Sequence, residues 1–297
     1  MSDSAGRVIV IGDVMTDVIV LPEGPLVRGS DRRAQITQRP GGSGANQAVW
    51  LGSMGTPVSF AARVGAADRA GYETHFRERG VAPVLAGDKD MQSGMLVTII
   101  DADGERSFLT DRGANLNLGI DDLPDSLLEG AAMVLVSGYS FFAPGPRKAV
   151  RNLLERARAR GLAVAIDPAS VGFLHEVGPT QFLDWVGPAD WIFANESEAE
   201  TLTGAADFEG HVQALGQQFG HVVIKRGRFG AVVGDRTGVV LSRAAPLVRM
   251  VDSTGAGDAF AAGFLAALLK GESVEACLDQ GIANGARAVQ FVGGQPQ

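Results

Sequence analysis

Cysteine is almost absent from this chain of 297 residues, in which Cys277 is the only one. A single cysteine excludes an internal disulfide framework and every zinc site built from several cysteines. The four histidines show no metal-ligand spacing such as HExxH, so we expect them to be structural or exposed. The sequence therefore predicts neither a disulfide scaffold nor a protein built around a zinc ion.

Long apolar runs and an excess of basic charge are also missing. The longest strongly apolar stretch, residues 259–269, is far shorter than the roughly 20 residues that a membrane helix needs. No basic segment leads into an apolar one at the N-terminus, so we expect no signal peptide and a cytoplasmic protein. Lysine and arginine number 26 against 34 acidic residues, a net charge of −8. This balance argues against nucleic acid and anionic membranes as partners, because both select basic patches.

Glycine, by contrast, is abundant. The chain has 40 glycines, a share nearly double the ~7% of average proteins. A hydrophobic content of 45% and a charged content of 20% are typical of a globular chain. The surplus of glycine therefore indicates local backbone requirements: positive φ, tight turns or close approach to a ligand.

Short β-branched runs alternate with longer helical patterns along most of the chain. The runs are apolar on both faces, as parallel strands covered by helices are. The predicted strands are residues 8–11, 58–61, 133–137, 163–167, 191–194 and 222–225. The predicted helices are residues 44–54, 70–79, 146–160, 197–203 and 211–219. This alternation predicts a three-layer α/β/α, Rossmann-like fold with a mainly parallel sheet.

Two polar, turn-punctuated stretches break this alternation, residues 17–39 and 94–112. Asp103-Gly104 predicts a hairpin turn between strands at 95–101 and 106–110. We expect both stretches to form a small antiparallel β flap, or lid, over one end of the main sheet. Residues 1–16, 40–93 and 113–297 then form the large domain.

The most informative segment is residues 252–258, Asp-Ser-Thr-Gly-Ala-Gly-Asp, which leads into an apolar helix. A Gly-x-Gly turn at the start of a helix directs backbone N–H groups and the positive end of the helix dipole at one point, which favours anions. Asp258 follows at once, and a carboxylate beside an anion site suits the removal of a proton from a hydroxyl that attacks a phosphoryl group. The alternative is an ordinary glycine turn with an aspartate that favours the helix start.

Other phosphate-binding signatures are absent from the sequence. No lysine follows these glycines as a Walker A loop requires, and no GxGxxG follows the first strand. The HRD and DFG signatures of protein kinases are absent too.

Residues 252–258 resemble the C-terminal signature of the ribokinase, or PfkB, family of carbohydrate kinases. Residues 39–48, Arg-Pro-Gly-Gly-Ser-Gly-Ala-Asn-Gln-Ala, resemble the N-terminal signature of that family. The resemblance implies a ribokinase-like fold and transfer of the γ-phosphate of ATP, with Mg²⁺, to a hydroxyl of a small sugar or sugar-like molecule. It implies that Asp258 is the base and that the amides of Gly255, Ala256 and Gly257 form the anion hole. A small flap also exposes sheet edges and an outer face, which proteins usually protect, so we expect a homodimer formed through the lid, as in many relatives.

The resemblance assigns substrate contacts to the first half of the chain. Gly41 and Gly42 would let the backbone approach the sugar, and Asn46 and Asp17 would bind its hydroxyls. The alternatives are a flexible glycine loop at 41–44 and a turn or capping role for Asp17.

Three positions differ from true ribokinases, which carry asparagine at Met15, lysine at Ser43 and glutamate near Gly138-Tyr139. Ribose itself is therefore in doubt, and other side chains are available to read a different substrate: Asp13, Arg106, Arg112 and Tyr139. An arginine on the flap would pair with a substrate carboxylate, or residues 112–115 would line a nucleoside pocket.

Nucleotide contacts are assigned to the second half of the chain. Asn195 and Glu198 resemble the NxxE motif that organises magnesium, water and phosphate, with Glu198 acting on Mg²⁺ through water. The same spacing is that of a helix capping box.

Residues 225–230 resemble a strand–turn contact with the nucleotide phosphates through Gly227 and Gly230. Lys225 replaces the usual threonine there, and it either neutralises phosphate or points outward from a hairpin. Asn284 would lie near the adenine, or on an ordinary helix surface.

The family resemblance also suggests a monovalent-cation site, with K⁺ as the ion. Its positions would be the side chains of Asp252 and Thr254 and the carbonyls of Ala288, Phe291 and Gly293. Two readings besides the sugar kinase stay open: a nucleoside kinase of the same family, and a non-catalytic sensor of sugars or nucleotides.

Overall fold

The computed structural model describes residues 6–101 and 105–297, without the side chain of Arg106. The predicted turn at Asp103-Gly104 lies outside the described residues. The strands are β1 Arg7–Ile11, β2 Met15–Pro22, β3 Ala34–Gly41, β4 Val58–Gly65, β5 Val81–Asp88, β6 Gly94–Ile100, β7 Arg106–Asp111, β8 Ala131–Ser137, β9 Ala163–Asp167, β10 Ala189–Asn195, β11 Phe219–Lys225, β12 Ala231–Asp235 and β13 Gly238–Arg243. The helices are α1 Ser43–Ser53, α2 Arg69–Arg77, α3 Pro144–Ala159, α4 Val171–Val177, α5 Pro179–Val186, α6 Glu196–Thr203, α7 Phe208–Leu215, α8 Ala256–Leu269 and α9 Val274–Ala288.

The large sheet has the order β13-β12-β11-β10-β9-β8-β1-β4-β5. It is parallel from β11 to β5, and β12 and β13 add two antiparallel strands at one edge. Val8 and Val10 of β1 pack with α1, α2, α8 and α9 on one face, whereas Ile9 and Ile11 pack with α3 to α7 on the other. Both faces of the sheet are therefore covered by helices, and the predicted three-layer α/β fold is confirmed.

The small sheet has the order β3-β2-β6-β7 and forms the lid. β2 pairs antiparallel with β3, and β6 with β7, within the two segments predicted to form the flap. β2 and β6 pair parallel, with Met15 opposite Gly94. Both of these strands run outward from the large domain, so their contact in the middle of the lid is parallel although each hairpin is antiparallel.

The six predicted strands of the large sheet are all present, but one predicted helix has the wrong bounds. Residues 211–219 do not form a single helix: α7 ends at Leu215, and Phe219 begins β11 with its side chain buried in the core. α7 also begins earlier than predicted, because the Asp207 side chain caps it by accepting from the N–H of Gly210. Strands β5, β12 and β13 and helices α4 and α5 were not predicted. Within the described residues, no helix combines the length and apolar character needed to cross a membrane.

Backbone contact between β1 and α1 requires glycine on both sides. A Cβ atom on Gly12, just after β1, would lie 2.6 Å from the Cα of Gly44, and a Cβ on Gly44 would lie 2.6 Å from the Cα of Gly12. Because the obstacle is backbone in both directions, no side-chain rotation can relieve it. This contact brings the first turn of α1 against the end of β1.

We expect Gly12→Ala to lower the free energy of unfolding by roughly 1–3 kcal/mol, the usual penalty for overpacking. Gly71→Ala is the matched control, since Gly71 lies in α2 with open space where its Cβ would be. The control should raise stability by up to about 1 kcal/mol through helix propensity. Urea denaturation measures both, and equal effects of the two substitutions would contradict the backbone contact.

Candidate active site

A cavity of about 950 Å³ lies between the lid and the carboxyl ends of the parallel strands. Open α/β sheets bind their ligands at this edge. The residues predicted for the site that line the cavity are Asp13, Asp17, Gly42, Asn46, Arg112, Tyr139, Asn195, Glu198, Lys225, Gly227, Gly230, Thr254, Gly255, Ala256, Gly257 and Asp258. The tertiary structure thus gathers most of the predicted set, from both halves of the chain, around one space.

Asp258 lies in the first turn of α8 and faces the first turn of α1. Its Oδ1 accepts a hydrogen bond from Ser43 Oγ at 2.7 Å and another from Gln47 Nε2 at 3.3 Å. Its Oδ2 accepts from Asn46 Nδ2 at 3.0 Å. Sequence reasoning missed Ser43 and Gln47 as partners of Asp258. Both belong to the N-terminal signature, but only the packing of α1 on α8 brings them to this carboxylate.

Burial and, to a smaller extent, the nearby Asp167 carboxylate raise the pKa of Asp258 to about 7, although the hydrogen bonds from Asn46 and Ser43 oppose the rise. A carboxylate whose pKa lies near neutrality can both hold and release a proton under physiological conditions. Asp258 has the titration that a general base requires.

The start of α8 can bind an anion. Gly255 caps the helix with a φ of 72°, and its Cβ would lie 2.5 Å from Gly294 Cα, so a side chain would not fit. First-turn N–H groups have no acceptor inside the helix, and the helix dipole adds partial positive charge there. The N–H of Ala256 already donates to the Ser253 carbonyl at 3.3 Å. Of the predicted amides, those of Gly255 and Gly257 are the better placed for a ligand.

Lys225 points into the cavity, so the alternative of a lysine pointing outward from a hairpin is wrong. Its Nζ donates to Asp167 Oδ2 at 2.9 Å, and only 11% of its side chain is exposed. A Cβ on Gly257 would lie 3.2 Å from this Nζ. Burial lowers the pKa of Lys225, but Asp167 and Glu198 raise it above its ordinary value, so the side chain is charged. The ammonium therefore sits directly beside the start of α8.

Asn195 and Glu198 form a capping box at the start of α6. Asn195 Oδ1 accepts from the N–H of Glu198 at 2.9 Å, and Glu198 Oε2 accepts from the N–H of Asn195 at 2.8 Å. Burial raises the pKa of Glu198 to about 7, with Lys225 opposing the rise and Asp167 adding to it. The pair thus caps α6, and both side chains also line the cavity, where a ligand could reach them.

Asp13 and Arg112 form an ion pair at the lid end of the cavity. Asp13 Oδ1 accepts from the N–H of Gly44 at 3.2 Å, and Asp13 Oδ2 accepts from Arg112 Nη1 at 3.0 Å. The guanidinium lies 3.8 Å above the ring of Tyr139. Within the protein the charge of this flap arginine is paired with Asp13, and its pairing with a substrate carboxylate stays a prediction.

Residues 112–115 do not present Asn115 to a ligand. Its Oδ1 accepts from the N–H of Val14, and its Nδ2 donates to the carbonyls of Val14 and Arg112, each at 2.9 Å. The side chain fastens the β1–β2 connection to the segment after β7, instead of lining a nucleoside pocket as one of the alternatives had it.

Two glycines shape the floor near Asp17. Gly41 does not line the cavity, but a Cβ there would collide with the Asp17 carboxylate, so glycine leaves room for that side chain. Gly42 has a φ of 98°, and its Cβ would lie 2.5 Å from the Asp13 carbonyl. Burial raises the pKa of Asp17 to about 7, and Asp13 and Asp252 contribute to the rise.

Asn46 Oδ1 is buried without a hydrogen-bond partner among the described residues, which leaves an acceptor at the cavity wall.

Asn284 lies outside the cavity, contrary to its predicted position near an adenine. It is buried in α9, where its Nδ2 contacts Met54 Sδ at 3.0 Å, so it is not a helix-surface residue either. Its neighbours Ile282, Gly285 and Ala286 line the cavity instead. Helix α9 therefore borders the cavity, but Asn284 lies on a face of this helix that points away from it.

The predicted monovalent-cation residues are held by protein contacts. Asp252 Oδ1 accepts from the backbone and the hydroxyl of Thr254, and its Oδ2 accepts from the N–H of Gly293 at 3.0 Å. Phe291 stacks on Trp50, and Ala288 is buried in the core. Across residues 6–101 and 105–297, no three or more His, Cys, Asp or Glu side chains group as a metal site. The K⁺ site stays a prediction.

Residues 5–297 match the family model described as "pfkB family carbohydrate kinase". The chain belongs to this family. Among curated proteins, it is 31% identical over 291 residues to the bifunctional protein HldE of Pseudomonas putida, covering 90% of this chain and 56% of HldE. The chain thus spans about half the length of that relative. It is also 30% identical to the ATP-dependent ribose-1-phosphate kinase of Halopiger xanaduensis, covering 94% of this chain and 90% of that protein.

A solved structure of a putative ribokinase II from E. coli, in complex with ATP and Mg²⁺, has a TM-score of 0.86 to this pfkB-family chain. The two sequences are 20% identical, and the match covers 97% of this chain and 94% of the other. The predicted ribokinase-like fold is confirmed. The family match also confirms that the protein is a kinase, for which ATP and Mg²⁺ are expected.

Proposed function

We propose that this pfkB-family kinase transfers the γ-phosphate of ATP to a hydroxyl group of a small sugar or sugar-like molecule. The observation that carries the proposal is the position of Asp258. Its carboxylate lies at the start of α8, is held by Ser43 and Asn46, and opens onto the cavity beneath the lid. A proton acceptor and an anion site thus adjoin one another where two substrates can meet.

The sugar occupies the lid end of the cavity in this proposal. Asp17 and the free acceptor Asn46 Oδ1 bind its hydroxyl groups, and Asp258 takes the proton from the hydroxyl that is phosphorylated. The amides at the start of α8 stabilise the negative charge on the transferred group. Closure of the lid strands over the sugar excludes water and so limits wasteful hydrolysis of ATP.

ATP occupies the opposite end, and the residues there suit a magnesium–nucleotide complex. Asp167, Glu198 and Asp258 bring three carboxylates to the cavity against one buried ammonium, Lys225. Mg²⁺ prefers oxygen ligands and is usually held by one or two carboxylates together with water and substrate phosphates. Bound there, it would neutralise charge on the phosphates. Glu198 would hold it through water, while Gly227 and Gly230 approach the phosphates.

The rate of transfer is expected to depend on the protonation of Asp258. Its raised pKa, about 7, means that the carboxyl is mostly protonated below neutrality and cannot accept another proton. We therefore expect kcat to fall roughly tenfold per pH unit below about pH 6 and to level off above pH 8. A pH–rate profile measured with saturating substrates tests this, and a rate that rises as the pH falls below 6 would contradict it.

The capping and magnesium roles of Glu198 can be separated by Glu198→Gln. Glutamine keeps the side-chain oxygen that accepts from the N–H of Asn195, so the melting temperature should change by no more than a few degrees. Loss of the charge should raise the Mg²⁺ concentration for half-maximal activity by about tenfold or more. Asp207→Asn, which alters the cap of α7 outside the cavity, is the control. An unchanged Mg²⁺ requirement would leave Glu198 with the capping role alone.

A second candidate, a nucleoside kinase, is favoured by the apolar side chains at the lid end. Leu96 and Phe108 of the lid, together with Met15 and Phe173, offer surfaces on which a base could stack. Release of ADP from ATP, measured over a panel of sugars and nucleosides, separates the two candidates. Binding without any phosphorylated product would instead favour a non-catalytic sensor.

Ribose 1-phosphate carries a phosphate group, so the similarity to the ribose-1-phosphate kinase raises the question of whether the substrate of this chain is charged.

A homodimer formed through the lid also stays a prediction, supported by exposed apolar side chains on that sheet at Leu21, Ile36 and Leu109.

A further inference from the structure

The ion pair of Asp13 with Arg112 lies at the lid end of the cavity, where the proposed function places the sugar. Arg112 follows β7 of the lid, and its Nη1 is 3.0 Å from Asp13 Oδ2. The side chains are only 18% and 5% exposed, so solvent screens the pair weakly. Tyr139 supports one face of the guanidinium at 3.8 Å, and Phe173 lies 5.4 Å from it. The arginine is thus held in one orientation by an internal carboxylate and an aromatic wall.

No other described cation lines this end of the cavity. The remaining lysine and arginine side chains on the cavity wall within residues 6–101 and 105–297 are Lys225 and Arg228, which belong to the nucleotide end. Asp167 holds Lys225 there. An anionic group on the sugar would therefore have to compete with Asp13, whose Oδ2 already accepts from Arg112 Nη1, for this guanidinium.

Two carboxylates face the same space. Asp13 and Asp17 both line the cavity, and the negative charge of Asp13 contributes to the raised pKa of Asp17. Each carboxylate is an acceptor for hydroxyl donors and repels other anions. Because Asp13 is paired with Arg112, the ionised form of Asp17 leaves an excess of negative charge at the lid end.

We propose that the acceptor substrate is an uncharged polyhydroxy compound, and that the Asp13–Arg112 pair excludes sugar acids and sugar phosphates from the lid end. This inference rests on the proposed kinase function and narrows its substrate class. Neutral hydroxyl groups donate to Asp13 and Asp17 without opening the ion pair, whereas a carboxylate or phosphate must compete with Asp13 for Arg112 and approach Asp17. The same carboxylates thus attract the hydroxyl groups of a neutral substrate and repel an anionic one, and both effects contribute to specificity.

Matched pairs of compounds that differ by one anionic group test the proposal on the unmodified protein. Ribose is compared with ribose 1-phosphate, fructose with fructose 6-phosphate, and glucose with gluconate. We expect the neutral member of each productive pair to have a kcat/KM larger by about tenfold to a hundredfold, given the cost of juxtaposed like charges. Titration calorimetry of the same pairs measures binding without requiring turnover.

Asp13→Asn should weaken this discrimination. Asparagine can still accept from the N–H of Gly44, but it removes the charge that neutralises Arg112. We expect the ratio of kcat/KM between the neutral and the anionic compound of each pair to shrink by about tenfold or more. The change should come mainly from a lower KM for the anionic compound. Asp122→Asn is the matched control, because it weakens another, partly buried arginine–carboxylate contact, with Arg63, and neither residue lines this cavity. The control should leave the preference unchanged.

Arg112→Gln provides a second variant in case Asp13→Asn does not fold. Removing the guanidinium leaves both carboxylates unopposed, so discrimination against anions should persist or increase. If Arg112→Gln abolishes binding of an anionic compound that the unmodified protein prefers, Arg112 is an anion receptor and the inference is overturned.

The outcomes separate this inference from the proposed function. Phosphorylation of the anionic member in preference to its neutral partner overturns the inference and leaves the kinase proposal standing. Tighter binding of neutral compounds without phosphorylation of any sugar or nucleoside supports the inference about recognition and overturns the kinase proposal. Failure of every pair to bind overturns both.

Discussion

Asp258→Asn is expected to lower kcat by about 10²–10⁴-fold, the usual contribution of a general base, while the sugar still binds. The carboxylate is the only group at the start of α8 that can take the hydroxyl proton, and asparagine cannot accept one. The shape of the side chain is conserved, so Ser43 can still donate to its oxygen. Single-turnover measurements with saturating ATP and sugar report the chemical step directly.

The loss of activity in Asp258→Asn should not come from unfolding. The pKa of Asp258 in the folded protein, about 7, is higher than the ordinary value of 3.8. The folded state therefore binds the proton more tightly than the unfolded state, and this group makes the protein less stable as the pH rises from about 4 to 7. Replacing it with a neutral amide removes that penalty, so at pH 8 we expect a melting temperature no lower than that of the unmodified protein.

Ser43→Ala is the matched control for Asp258→Asn. It removes one hydrogen bond that lowers the pKa of Asp258 but keeps the carboxylate. The pH–rate profile should shift toward higher pH, with a kcat at pH 9 within about tenfold of the unmodified enzyme. A kcat of Asp258→Asn close to that of the unmodified enzyme would remove Asp258 from the role of base.

Lys225→Met is expected to lower kcat/KM for ATP by about 10²–10³-fold, as the loss of a preorganised charge at a transferring phosphoryl group does. The ammonium lies beside Gly257 at the start of α8, where the proposal places the transferred group. Initial rates over a range of ATP concentrations separate the effect on KM from the effect on kcat.

The same substitution should also destabilise the fold. Removing Lys225 leaves the buried carboxylate of Asp167 without its partner, which typically costs about 3–5 kcal/mol. The double variant Lys225→Met with Asp167→Asn removes both charges, so its free energy of unfolding should recover most of that loss. Chemical denaturation of the two variants measures this recovery.

Activity in the double variant decides between a structural and a chemical role for Lys225. If Lys225 acts on phosphate, the double variant remains about 10²-fold or more below Asp167→Asn alone, although it is stable. If the double variant matches Asp167→Asn, Lys225 serves only to neutralise Asp167.

The local pattern of the chain was sufficient for the elements of the core. Strands such as β9 appear with the predicted bounds, Ala163–Asp167, because a short apolar run between two turns has few other ways to be buried. The predicted bounds failed at α7, where the chain turns from helix to strand within a few residues. Phe219 suits either element by its sequence, and its burial in the large sheet decides the matter.

Residues that line the cavity were predictable where they belong to a continuous motif. Gly255, Gly257 and Asp258 follow one another in sequence, so the chemistry of a helix start beside a carboxylate is visible in the sequence alone. Asn195 and Glu198 are likewise close enough for their capping box to be predicted, and the structure contains it. Asn284 could not be placed in the same way, because adjacent positions on α9 face either the cavity or the core.

By itself, the sequence determined the α/β class and the order of the strands and helices of the core, and it singled out residues 252–258 as the candidate site of phosphate chemistry. These depend on periodicity and on neighbours along the chain. Only the tertiary structure decided which side chains from distant parts of the chain contact one another in the cavity: Ser43 with Asp258, Lys225 with Asp167, and Asp13 with Arg112. These partners are 215, 58 and 99 residues apart, so their contacts exist only after α1 packs on α8, the parallel strands align and the lid strands return over the sheet. The consequence is largest for the proposed specificity, because the sequence shows Arg112 only as a potential anion receptor, whereas the fold pairs it with Asp13.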